Sequence, residues 1–187
     1  IVLGGAFAYI FNDRLAGGVS GKFITSSIAG YNSLAVGVDL GINYYDEDKG
    51  LSLSAVARNL GGQIKAYNDD FEKIPFDLQA GISKQLGKAP LRLSATMTRL
   101  NDWHGDFASH FVVGVDVLLS SSIYVAGGYN FHRADEMSID DAEGSSSHGA
   151  GFSFGAGLQL ERFKLNVAYG KYHVSTASLN FNATYTL

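Results

Sequence analysis

The chain has 187 residues, with 23 Gly, 2 Pro, no Cys, 46% hydrophobic residues and a net charge of -4. This composition describes a single domain, 1-187, rich in strand and turn. It excludes disulfides, thiol catalysis and thiolate metal sites, and it offers no basic face to nucleic acid.

Glycine exceeds the usual ~7% and is spread through the strands, which argues against low-complexity disorder. No window approaches the roughly 18 consecutive apolar residues of a membrane-spanning helix, so any membrane span must be made of strands. The chain opens on Ile1 in mid-strand without a methionine. It is therefore expected to be a C-terminal portion or mature segment, with its export signal upstream.

Eleven strands are predicted. Val2 to Phe11 comes first, followed by an Asn12-Asp13 turn and Leu15 to Thr25, then a longer loop from Ser26 to Asn32. The third and fourth strands carry the clearest pattern. Leu34, Val36, Val38, Leu40, Ile42 and Tyr44 alternate with Ala35, Gly37, Asp39, Gly41 and Asn43; after the turn at Asp46 to Gly50, Leu51, Leu53, Ala55 and Ala57 alternate with Ser52, Ser54, Val56 and Arg58. A period of two means a strand.

The second face is small and polar, with isolated charges. That suits an enclosed lumen better than the Lys, Glu and Thr of a solvated soluble sheet. Outward apolar and inward polar residues, with aromatics such as Tyr44 and Tyr45 near the strand ends, are the marks of a transmembrane β-barrel.

Gly61 to Pro75 reads as a long polar loop, followed by strands at Phe76 to Leu86 and from Leu91 through Thr98, joined by Gly87 to Pro90. Asn101 to Ser109 is a loop carrying Trp103, the only tryptophan. Phe111 to Leu119 and Ile123 to Phe131 are joined by three serines, and the longest loop runs from His132 to Gly149. The ninth strand pairs Phe152, Phe154, Ala156, Leu158 and Leu160 against Ser153, Gly155, Gly157 and Gln159, and turns at Glu161-Arg162. Phe163 to Tyr172 follows, and the last strand carries Leu179, Phe181, Ala183, Tyr185 and Leu187.

Connections alternate short and long, as in outer-membrane barrels with short periplasmic turns and long extracellular loops. Leu34, Val36, Val38, Leu40, Phe154, Leu158, Leu165, Phe181 and Tyr185 are expected to face lipid. Eleven is an odd number, and single-chain bacterial barrels normally close with an even one. At least one strand is expected before Ile1.

Folding the second, third and fourth strands together brings Lys22, Asp39 and Arg58 to one polar row. Its functional reading is an ion or solute path; the favoured reading is a structural network that fills the lumen. No catalytic constellation emerges. His148 beside Ser145 to Ser147 and near Asp140 and Asp141 lies in one acidic, serine-rich loop, where a nucleophile and its base are not held in fixed geometry. Asp140 to Gly144 lacks the spacing of an EF-hand, the histidines lack zinc spacing, and no cofactor motif is present. No enzymatic activity, metal or cofactor is expected.

The run Ala57-Arg58-Asn59-Leu60-Gly61, the Ile74-Pro75-Phe76 entry, the closing Lys171-Tyr172-His173 and the terminal Ser178-Leu179-Asn180-Phe181-Asn182 resemble the PorV/PorQ family, a branch of the FadL-type barrels. The resemblance covers most of the chain from about Gly50 onward. It implies about eleven strands of a fourteen-stranded outer-membrane barrel belonging to the type IX secretion system of Bacteroidetes. Such a barrel helps to hold a PorZ-like surface protein alongside PorV and the sortase PorU. The acidic residues Asp135, Glu136, Asp140, Asp141 and Glu143 of the longest loop are then expected to meet that partner. The alternative, which the wider FadL-type architecture allows, is passive transport of hydrophobic solutes.

Overall fold

The alternation is realised as one antiparallel sheet of eleven strands in the computed structural model, which describes residues 1–28, 31–66, 71, 73–141, 144–146, 149–171 and 176–186. The strands are β1 (Val2–Asn12), β2 (Leu15–Ile28), β3 (Tyr31–Asp46), β4 (Leu51–Lys65), β5 (Asp77–Gln85), β6 (Leu91–Met97), β7 (Phe111–Leu118), β8 (Ile123–Asn130), β11 (Phe152–Gln159), β12 (Phe163–Lys171) and β13 (Ala177–Tyr185). They lie side by side in chain order, with β1 and β13 at the two edges. A short helix α1 (Phe131–Glu136) and a two-stranded hairpin of β9 (Ile139–Asp141) and β10 (Gly144–Ser146) sit in the connection between β8 and β11.

Four stretches differ from the sequence reading. Strand β2 runs on to Ile28 and β3 begins at Tyr31, so most of the loop expected from Ser26 to Asn32 is paired strand, Ser26 with Ser33 and Ser27 with Asn32, and the first of the expected long connections is not a long loop. Strand β4 runs on to Lys65, into the stretch expected to be loop from Gly61. The expected loop of Asn101 to Ser109 ends in a 3-10 turn, Phe107–His110, and the longest loop contains α1 and the small hairpin. All four are short or polar, so hydrophobic periodicity carries little signal for them.

The chain divides into two compact units: Ile1–Glu47 with Ser52–Gly81 and Thr98–Trp103, and Asp48–Leu51 with Ile82–Met97 and His104–Leu187. In the first, Phe7 pairs with Val19 and Val19 with Leu40, while Ser20 pairs with Asp39 and Lys22 lies between Gly4 and Gly37. Directly opposed residues share a face, so the apolar and polar rows stay separate across all three strands. The β1–β2 turn is fixed by Asn12, whose Oδ1 accepts from the backbone N–H groups of Arg14 and Leu15, both at 2.9 Å. Such self-bonding is why Asn favours turns.

In the second unit, each tight turn is stitched to the strand beside it. The N–H of Leu118 donates to Pro90 O at 2.7 Å, that of Gln159 to Ser122 O at 2.7 Å and that of Thr186 to Arg162 O at 2.9 Å. On the polar face the Tyr124 ring lies over Gly157, where a Cβ would come within 2.1 Å of the ring, and its hydroxyl reaches Asn166 Oδ1 at 3.0 Å. Glycine is required there because the ring occupies the space of a side chain.

The burial pattern is the reverse of a soluble domain's. Among the described residues the buried apolar side chains are Ala35, Ala66, Ala134 and Ala150, all small, and the largest fully buried ones are His110 and Asp46. Phe7, Phe23, Leu40, Leu53, Phe154 and Phe181 are all exposed. The large apolar side chains form a face and not a core.

Candidate functional site

Two regions bear on function: the polar row of the first unit and the long-connection end of the second. The row begins with Lys22 on β2, whose Nζ stands 2.8 Å from Asp39 Oδ1 on β3. Asp39 also accepts from Ser20 Oγ at 3.1 Å and from the backbone N–H of Asn59 at 2.8 Å. Both charges are about one-fifth exposed, at 23% and 21%. A carboxylate so placed is satisfied by three donors, one of which carries the countercharge, and this offsets the cost of taking it out of water.

The third member is Asn59 where Arg58 was expected. Asn59 Oδ1 accepts from Lys22 Nζ at 2.9 Å and its Nδ2 donates to Pro75 O at 2.9 Å, whereas Arg58 is exposed and takes no part in this network. The cause is a local change of phase in β4. Ser52, bonded to Asn43, and Val56, close to Gly41, lie on the polar face at even numbers. Asn59 and Gln63, which bonds Ser33 Oγ at 3.1 Å, lie on the same face at odd numbers. Asn59 has φ 59. This left-handed conformation, which Asn tolerates better than most residues, absorbs one extra residue as a β-bulge does. The signal in the sequence was Asn59 itself, followed by two glycines. Gly61 then passes so close to β3 that a Cβ would lie 2.1 Å from Val36 O.

A second cluster in this unit ties β5 to the segment after β6. Asp77 Oδ1 accepts from the N–H of Arg99 at 2.7 Å, and Asn101 bridges the N–H of Leu78 at 2.8 Å and Phe76 O at 3.0 Å. Arg99 adopts φ 55.

Of the residues expected to face lipid, Val36, Val38, Leu40, Phe154, Leu165, Phe181 and Tyr185 are exposed, and Leu34 and Leu158 are half-buried. At the long-connection end, α1 packs against the 3-10 turn. Its N-terminus is capped by Asn130, whose side chain accepts from the Arg133 N–H at 3.0 Å, and His132 Nε2 lies 3.1 Å from Glu136 Oε1. Beneath them Tyr129 stacks edge-on with Phe131 and Phe152 at 4.9 and 4.8 Å.

Of the acidic residues expected to meet a partner, Asp135 and Glu136 are exposed on α1. Asp140 pairs with Ser145 and Asp141 with Gly144 in the small hairpin. The side chains of Asp140 and Asp141, all of Glu143, and His148 with Ser147 lie outside the described residues. Among those described, no group of three His, Asp or Glu side chains converges as metal ligands would. A scan against protein-family models finds no family that matches the chain, and a search of curated proteins finds no match.

Proposed function

We infer that the chain forms part of an outer-membrane β-barrel and serves, in the manner of the PorV/PorQ family, as a non-enzymatic anchor for a cell-surface partner of the type IX secretion system. The observation that carries the membrane assignment is the absence of large buried apolar side chains among the described residues, together with an exposed apolar face on every hairpin. Such a sheet needs an apolar solvent outside and tolerates water or polar filling inside. Closure then requires the edges of β1 and β13 to be paired, because open strand edges are not viable in lipid.

Two features favour anchoring over passage of a hydrophobic solute. The polar row is a set of mutually satisfied groups around Asp39, which suits a filled lumen. The long connection after β8 is built, with a capped helix resting on a 3-10 turn, and built loops on a rigid scaffold are where recognition is placed. The partner in this reading is a PorZ-like surface protein with a basic face, steered by Asp135, Glu136 and the acidic hairpin.

The test replaces residues 132–149 by a short neutral turn and recovers the partner from outer membranes. Loss of the partner with unchanged insertion supports the reading. Normal insertion with full partner recovery removes this connection as the docking site, and uptake of a hydrophobic solute by the purified protein in liposomes would favour transport.

A further inference from the structure

The apolar face of the second unit carries a groove that partner docking does not use. Ala156, Leu158, Leu165, Val167, Phe181 and Ala183 border a depression of about 560 Å³, within the roughly 300–1,000 Å³ of small-molecule sites. The pairing explains it. Leu158 lies opposite Leu165 and Leu165 opposite Ala183, while Ala156 lies opposite Val167 and Val167 opposite Phe181. Opposed residues share a face, so two rows of large side chains are each interrupted by an alanine, and the interruptions leave the hollow.

The same rows continue toward the long connections. Phe154 pairs with Tyr169 and Tyr169 with Leu179, and beyond them Lys171 pairs with Ala177. Lys171 therefore belongs to the face of the groove, four residues past Val167, or about 13 Å at ~3.3 Å per residue. The order along the strand is an apolar hollow, an aromatic collar and a cation. That is the order in which a membrane lipid presents its acyl chain, its interfacial region and its phosphate.

We propose that this face holds one lipid with an anionic phosphate headgroup, from the leaflet on the side of the long connections, its acyl chain in the groove and its phosphate at Lys171. The proposal rests on the membrane-barrel reading. Charge complementarity and the aromatic collar select a lipid over a protein segment, because an added strand would pair with a sheet edge and would not lie across a paired face.

The protein, with the strands that pair the edges of β1 and β13, is folded in dodecyl maltoside micelles, and strand content and protease resistance are checked first. Dioleoyl phosphatidylglycerol or dioleoyl phosphatidylcholine is then added, and retained lipid is counted by native mass spectrometry. One tightly held phosphatidylglycerol per chain is expected. Lys171→Ala should weaken it about fivefold, Ala183→Phe should fill the hollow and release both lipids, and Lys164→Ala, on the other face of β12, should change neither. Retention unaltered by Lys171→Ala and Ala183→Phe in folded protein overturns the site and leaves the barrel reading standing. Equal retention of the two headgroups overturns the assignment of Lys171. Failure to gain strand structure in micelles overturns the barrel reading and the site with it.

Discussion

Asp39 is the residue on which the polar row depends, because it faces Lys22, Ser20 and the Asn59 N–H at once. Removing the carboxylate leaves a mostly enclosed ammonium with a single amide oxygen. Asp39→Ala is expected to destabilise the folded protein by about 1–3 kcal/mol in urea unfolding from micelles, and Lys22→Met with Asp39→Leu should recover only part of it, because the Asn59 N–H still lacks its acceptor. Tyr124 gives a cleaner case. Tyr124→Phe loses only the bond to Asn166 and should cost about 1 kcal/mol. Gly157→Ala must push the ring away and should cost about 1–3 kcal/mol more in the wild-type background than in Tyr124→Ala. Lys22 and Asp39 were legible from pairing geometry, since both lie on regular stretches of strand. Arg58 was misplaced because a bulge depends on which neighbour the backbone meets across the sheet, and alternation counted along one strand cannot register that.

At the level of elements, the eleven strands could be read because large apolar residues recur every second position with small or polar ones between. Helix α1 could not, since six residues give less than two turns of pattern. Its stability leans on the cap, so Asn130→Ala should loosen α1 by about 1 kcal/mol. The readout is faster amide exchange at Arg133 and Met137 with no change in the strands. The phase change in β4 makes a sharper prediction. Deleting one residue from a strand ordinarily turns every later side chain to the wrong face, but removal of Arg58 would place Asn59 where strict alternation wants a polar-face residue. Deletion of Arg58 should therefore fold in micelles with Asn59 still protected, while deletion of Ala55 should not. Equal failure of the two deletions would show that the bulge has a role beyond phase.

For the whole molecule, the exposed large side chains and the alanine-sized buried ones predict dependence on an apolar solvent. Transfer from detergent to plain buffer should produce association and loss of native strand signal, whereas a monodisperse folded monomer in buffer would contradict the membrane reading. The order of the sheet was read correctly from the sequence because every connection in it is local. Neighbours in the sheet are neighbours in the chain throughout, with β8 and β11 separated only by the inserted helix and small hairpin. Such a meander has no crossover to rethread when its length changes. Adding or removing two strands alters circumference and leaves the remaining pairings alone, so the architecture can grow by duplication of a hairpin in a single genetic event. The stitched turns of the second unit supply the unit of growth, each one a strand pair already bonded to the next.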